Sequence, residues 1–179
     1  PFCHNSSLLD NNKPNEEITE DEVFNYLKKR QGILDGVCIS GGEPLLQPDI
    51  EEFIRKVRNL GFSIKLDTNG SCPGILKKLI DNNLVDYIAM DIKDDFISYE
   101  KAAGIKKINI DNIKKSIEIV ENSNVEYEFR TTIVKEIHDY NHLERICEYI
   151  SPKAKYYIQN YQECDSVLSK GLSSFKEDE

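Results

Sequence analysis

Three groups of polar residues stand where apolar stretches end. Ser40-Gly41-Gly42-Glu43-Pro44 follows Val37-Cys38-Ile39, Asp67-Thr68-Asn69-Gly70 follows Phe62 to Leu66, and Asp91 and Lys93 follow Val85 to Met90. A buried parallel strand is almost wholly apolar, so polar residues at its C-terminal end need a reason. Residues without Cβ, such as Gly41 and Gly42, let backbone amides and carbonyls approach a ligand, and Glu43 can bind an ammonium group. Each group also has a plain reading. Gly-Gly before Glu-Pro can be a tight turn, Asn69-Gly70 an Asx-type turn, and Asp91 with Lys93, two apart on one face of an extended chain, a surface ion pair. The convergence weighs more than any member, because in parallel α/β folds all such ends share one rim, where ligands bind.

A fourth stretch adds an argument from alternation. Phe129, Thr131 and Ile133 share one face, while Glu128, Arg130, Thr132 and Val134 share the other. If that second face points into a barrel, Arg130 and Glu128 must pair there or meet a charged ligand, since unpaired buried charge is costly. The planar donor fork of Arg130 suits a carboxylate. An edge strand with a wet face is the alternative. His138 and His142, four apart, have a spacing that can hold a metal on a helix face, but no third ligand is evident and they read as solvated loop residues. The cysteines Cys3, Cys38, Cys72, Cys147 and Cys164 form an odd, scattered set, so a disulfide framework is not expected. Cys38 and Cys147 read as small buried hydrophobes.

These residues need positioning elements, and the pattern supplies them. Thr19 to Glu22 is a capping box, followed by Val23, Phe24 and Leu27 at helical spacing. Gly36 opens a strand, Pro48-Asp49 starts a helix ending at Gly61, and Pro73 sits in the first turn of another. Asp111 is expected to cap a helix carrying Ile113, Ile117 and Val120, and Leu143 to Ile150 mark a further helix halted by Pro152. With strands over 62–66, 85–90, 126–134 and 156–158, five strands alternate with helices, which indicates βα units with parallel strands and right-handed crossovers. A barrel-type sheet and an open doubly wound sheet both fit. One domain is expected, a core over 1–163 with a polar surface tail over 164–179.

Composition narrows the function. Of 179 residues, 32 are acidic and 23 basic, a net charge of −9 without the basic footprint that nucleic-acid binding requires. The apolar fraction of 39% excludes a disordered chain. No apolar run reaches the roughly 18 residues a membrane span requires, and no signal-like segment opens the chain. A soluble, cytoplasmic protein is expected, with neither nucleic acid nor membrane as partner.

Taken in order, Pro1-Phe2-Cys3-His4-Asn5, Asp35-Gly36-Val37, Ser40 to Pro44, Lys65 to Gly70 and Asp86 to Lys93 resemble the radical S-adenosylmethionine family. Within it the chain looks like the glycyl-radical-enzyme activating branch. It most resembles activators of anaerobic ribonucleoside-triphosphate reductase, with pyruvate formate-lyase activating enzyme a near relative. The resemblance implies an α/β fold, a partial (β/α)6 TIM-like barrel with parallel strands, here lacking its first strand. It also implies a 4Fe–4S cluster held by three cysteines spaced C-x3-C-x2-C, of which Cys3 matches the last. Phe2 matches an aromatic position that packs on adenine. Gly41, Gly42 and Glu43 match the element that binds the methionyl amine of S-adenosylmethionine. Asp67, Thr68, Asp91 and Lys93 match rim residues near the methionyl and ribose end, where acidic positions hold a monovalent cation in the relative. Arg130 matches a strand arginine that contacts S-adenosylmethionine.

The activity so implied is reductive cleavage of S-adenosylmethionine to generate a glycyl radical on a partner enzyme, with a one-electron donor such as flavodoxin or ferredoxin. The chain opens on Pro1 and shows one of the three cluster cysteines, so a cut N-terminus is expected, and the chain as written is expected to be inactive. Asn160-Tyr161-Gln162 stands where the formate-lyase activator carries a histidine. A barrel that binds a small carboxylate or nucleotide without redox chemistry is the rival reading, and a radical enzyme acting on a small molecule a third.

Overall fold

The computed structural model describes residues 18–163, 167 and 169–176. Among them, five strands form one sheet: β1 (Gly36–Ile39), β2 (Ser63–Thr68), β3 (Tyr87–Asp91), β4 (Glu126–Ile133) and β5 (Tyr156–Asn160). All four pairings are parallel and the strand order is sequential, β1-β2-β3-β4-β5. Sequential order decides between the two sheets that periodicity left open. Right-handed crossovers that always step the same way put every connecting helix on one face, as in a barrel wall, whereas a doubly wound sheet reverses direction.

That helix face holds the core. Ile39, Ile64, Leu66, Ile88, Met90 and Phe129 point outward from the strands and pack with Leu27, Ile54, Val57, Leu76, Leu79 and Val120 from the helices. Ile54, Val57, Leu66, Leu76 and Leu79 are all fully buried, and burying each contributes about 1.5–3 kcal/mol. The alternate strand residues make the concave face, which is mostly polar, with Lys65, Asp67, Tyr87, Asp91, Glu128 and Arg130 on it.

The helices follow mostly from their end signals. α1 (Glu20–Lys28) has the expected capping box: Glu22 N–H donates to Thr19 Oγ1 at 3.3 Å and Thr19 N–H to Glu22 Oε2 at 2.8 Å. α2 (Ile50–Asn59) stops just before Gly61, and α3 (Pro73–Asp81) starts on its proline. A five-residue helix, α4 (Tyr99–Ala103), was not evident from periodicity; Gly104, at φ +70°, ends it. α5 (Ile110–Glu121) begins two residues earlier than Asp111 implied. Asn109 is the cap, accepting from Asn112 N–H at 3.3 Å, and Asp111 lies in the first turn. α6 (Tyr140–Cys147) is capped by Asp139, which accepts from His142 N–H at 3.1 Å; it ends three residues before Ile150, so Pro152 is not its stop.

Two cysteine expectations are corrected. Cys38 and Cys147 are both exposed. Cys38 faces the concave side of edge strand β1, opposite the buried Ile39, and Cys147 ends α6 on its outer side. The chain after β5 folds back over the strand ends. The Asn160 side chain pairs with both backbone groups of Phe175, at 2.7 and 3.0 Å, and Val167 and Leu172 pack against Val134, Ile137 and Tyr161. Among the described residues no helix is long and apolar enough to cross a membrane.

Candidate functional site

The ends of β1, β2, β3 and β4 bring Glu43, Asp67, Thr68, Asp91, Lys93 and Arg130 to one rim and the adjoining concave face. Glu43 is buried and ties two of these ends together. Its Oε1 accepts from the Thr68 hydroxyl at 2.8 Å and Leu45 N–H at 3.2 Å, and its Oε2 from Asn69 N–H at 2.7 Å. The β1 turn is thereby fastened to the β2 turn. Burial pushes the Glu43 carboxyl above its ordinary range, against the opposing pull of those three donors. Gly41 adopts φ +143°, open to glycine and strained for other residues. The Asx turn expected after β2 is present, with Ser71 N–H on Asn69 Oδ1 at 2.9 Å.

Arg130 is the centre of the charge network. β4 is hydrogen-bonded on both sides, which overturns the wet edge-strand alternative. From its concave face Arg130 reaches Asp91 at 3.0 Å, Asp67 at 3.3 Å and Glu128 at 3.8 Å. Lys93 Nζ adds a second cation on Asp91, at 2.8 Å. The Asp91–Lys93 pair is thus half-buried within a network and is no isolated surface pair. Burial alone would raise the Asp91 carboxyl; Lys93 and Arg130 outweigh it and hold it below its usual value. Burial likewise opposes the charge on Arg130, and Asp91 and Asp67 more than offset it.

Three further concave-face residues, Lys65, Tyr87 and Cys38, were not among the expected site residues. Lys65 pairs with Asp67, and the Tyr87 hydroxyl donates to Glu128 Oε2 at 2.7 Å. Burial, then the Glu128 contact, pushes the Tyr87 phenol up to about 12. Burial and the charge of Asp67 raise the Cys38 thiol, so it stays protonated at neutral pH. The alternation applied to Arg130 would have found all three.

The histidine expectation is corrected as well. His138 is 3% exposed and fully engaged. Its Nδ1 accepts from Val134 N–H at 3.0 Å, so the ring proton sits on Nε2, which donates to the Lys93 carbonyl at 2.9 Å. It joins the end of β4 to the residue that pairs with Asp91. Phe2 and Cys3 lie outside the described residues.

A rim with these residues on a singly wound parallel sheet matches known proteins. The family model described as the Radical SAM superfamily matches residues 1–150. The chain belongs to that superfamily. It is 34% identical over 170 residues to a glycyl-radical enzyme activating enzyme of Methanocaldococcus jannaschii, covering 93% of this chain and 69% of that one. It is 32% identical over 102 residues to the pyruvate formate-lyase-activating enzyme of Staphylococcus aureus, covering 51% of this chain and 41% of that one. Radical SAM membership and these relatives place the chain in the glycyl-radical-enzyme activating branch, as the core of an enzyme of that kind. The solved structure of native anSMEcpe with bound AdoMet superposes with a TM-score of 0.63 at 17% identity, over 86% of this chain and 46% of that one, which shows a shared fold.

Radical SAM membership implies a 4Fe–4S cluster and S-adenosylmethionine. The rim fits the second of these. S-adenosylmethionine carries a carboxylate, an ammonium and a sulfonium, and the rim offers cations (Arg130, Lys93) beside carboxylates (Asp67, Asp91, Glu43). The described cysteines do not fit the cluster. Cys38, Cys72 and Cys147 lie on β1, ahead of α3 and at the end of α6, on separate elements.

Proposed function

We propose that this chain is the core of an activating enzyme whose partner is anaerobic ribonucleoside-triphosphate reductase, with flavodoxin or ferredoxin as the one-electron donor. Cys3, with two further thiolates, would hold the 4Fe–4S cluster that the family implies, and that cluster, once reduced, would supply the one electron needed to cleave S-adenosylmethionine and so allow removal of a Cα hydrogen from a glycine of the partner. The chain's own residues bind and orient. Gly41, Gly42 and Glu43 receive the methionyl amine, and Arg130 receives the carboxylate through its donor fork. Asp67, Thr68, Asp91 and Lys93 line the methionyl and ribose end, with Asp67 and Asp91 able to hold a monovalent cation. Phe2 is assigned to the adenine on the family resemblance alone. The protein's part in such chemistry is position and exclusion of competing reactions.

The observation that carries this reading is the meeting of Glu43, Asp67, Asp91 and Arg130 on one rim, drawn from four separate strands. The test uses the full-length protein, reconstituted anaerobically with iron and sulfide and reduced. Formation of 5′-deoxyadenosine and a glycyl-radical EPR doublet on the reductase is the expected result. A doublet on pyruvate formate-lyase alone would replace the partner. A colourless protein forming no 5′-deoxyadenosine would overturn the reading in favour of a ligand-binding barrel.

A further inference from the structure

Behind the rim, the loop after β3 buries two consecutive carboxylates. Asp94 is 0% and Asp95 1% exposed. Asp94 Oδ1 accepts from Asp95 N–H at 2.8 Å, but Asp94 Oδ2 has no hydrogen-bond partner. A buried carboxylate oxygen left in that state is costly, and its presence asks for a positive group. One candidate comes from α6. His142 Nε2 stands 4.0 Å from Asp94 Oδ2, too far for a hydrogen bond. The other ring nitrogen, Nδ1, lies 3.2 Å from Asp139 N–H and 2.7 Å from Asp139 Oδ1; the carboxylate contact is the shorter, and it calls for the ring proton on Nδ1 and leaves Nε2 as the ligating nitrogen. A carboxylate behind an imidazole is the arrangement that orients a metal-ligating histidine and raises its basicity.

Asp95 completes the set. One ligand atom each from Asp94, Asp95 and His142 lie within 4.8 Å of one another. Asp95 cannot swing away, because Ile97 N–H, Ser98 N–H and Arg145 Nε all hold it. Ligands of one ion with bonds of about 2.0–2.1 Å sit roughly 3–3.5 Å apart, so binding requires a contraction of about an ångström. Three carboxylates, Asp94, Asp95 and Asp139, face one guanidinium, a formal excess that a divalent cation neutralises.

We propose that Asp94, Asp95 and His142 form a site for a divalent first-row transition-metal ion that fastens the loop after β3 to α6. The imidazole favours iron or zinc, and more weakly manganese, over magnesium and calcium, which favour oxygen-only shells. The site is separate from the rim: Asp67 is not among its ligands, and the ion takes no part in the proposed radical chemistry. Its effect is mechanical, since the loop it secures follows directly on Asp91 and contains Lys93.

The experiment is a Mn2+ titration followed by EPR on the full chain after chelation; manganese is poorly held by thiolates, so cysteine sites do not interfere. Wild type is expected to bind one ion that equimolar Mg2+ does not displace, with a rise in melting temperature on addition. Asp94→Asn and His142→Gln each weaken binding at least tenfold, Asp139→Asn about tenfold, and Asp67→Asn leaves it unchanged. His142 lies near the surface, so His142→Gln tests the site even if Asp94→Asn fails to fold. Equal binding by wild type and a folded His142→Gln variant, or no binding at all, would overturn the proposal and leave a simple His–Asp ion pair. Loss of binding in Asp67→Asn would overturn it too, by assigning the ion to the rim.

Discussion

Asp91 and Arg130 are register partners across the β3–β4 pair, and their side chains meet at 3.0 Å on the concave face. The contact is laid down by backbone pairing, so it forms whenever the two strands align correctly. Arg130 extends past it to Asp67 on the next strand, and one guanidinium thereby braces three strands.

Removing that brace should be expensive. Arg130→Ala leaves Asp67, Asp91 and Glu128 close together without their shared cation, and breaking a buried pair from one side costs about 3 kcal/mol. Denaturant unfolding is expected to show that loss. Arg130→Lys, which keeps charge but not the fork, should recover part of it. In the full-length protein both variants should bind S-adenosylmethionine more weakly by calorimetry, the alanine variant most.

Glu43 and Asp91 should respond to pH in opposite senses. The folded pKa of Glu43 is raised, so its contribution is fully present below about 4.3, the unfolded value, and is lost as pH rises through the folded value. The folded pKa of Asp91 is lowered, so its contribution is present above about 3.9 and is lost as pH falls through the folded value. Melting curves should therefore show the gap between wild type and Glu43→Gln narrowing from pH 4 to 7. The gap to Asp91→Asn should widen over pH 3 to 7. Parallel gaps would contradict both assignments.

Gly70 tolerates no side chain. It sits at φ +76°, and an added Cβ would overlap Met90 Cε. Left-handed backbone costs an L-residue about 1–2 kcal/mol and overpacking about 1–3 more, so Gly70→Ala should lose about 2–5 kcal/mol by urea unfolding. Pairing it with Met90→Leu should return none of the backbone part. A neutral Gly70→Ala would refute the geometry of the β2 turn.

His138→Ala should remove the acceptor for buried Val134 N–H and the donor to the Lys93 carbonyl. An unsatisfied buried donor costs about 1–3 kcal/mol. Backbone amide exchange at Val134 is the measurement to make, and it should accelerate in the variant.

The sequence disclosed the rim because strand-end polarity is a local pattern: Glu43, Asp67, Asp91 and Lys93 each follow an apolar run. It disclosed the capping box of α1 for the same reason. His138 escaped, since nothing near it in the chain indicates that Lys93, 45 residues away, supplies its partner. Cys38 was misjudged because an apolar neighbourhood says a strand is buried, while only pairing order says which side is. Strand order itself is a long-range property, and periodicity alone left the barrel wall and the doubly wound sheet equal.

The alternation along β4 has an evolutionary consequence. Phe129 answers to the core under the helices and Thr131 to the Ile92 carbonyl and the Tyr156 hydroxyl, while Glu128 and Arg130 answer to whatever occupies the hollow of the sheet. Two sets of selective demands are interleaved on one ribbon, a residue apart and back to back. Lineages can therefore retune the guest without disturbing the scaffold, provided that no insertion within the strand exchanges the two sets.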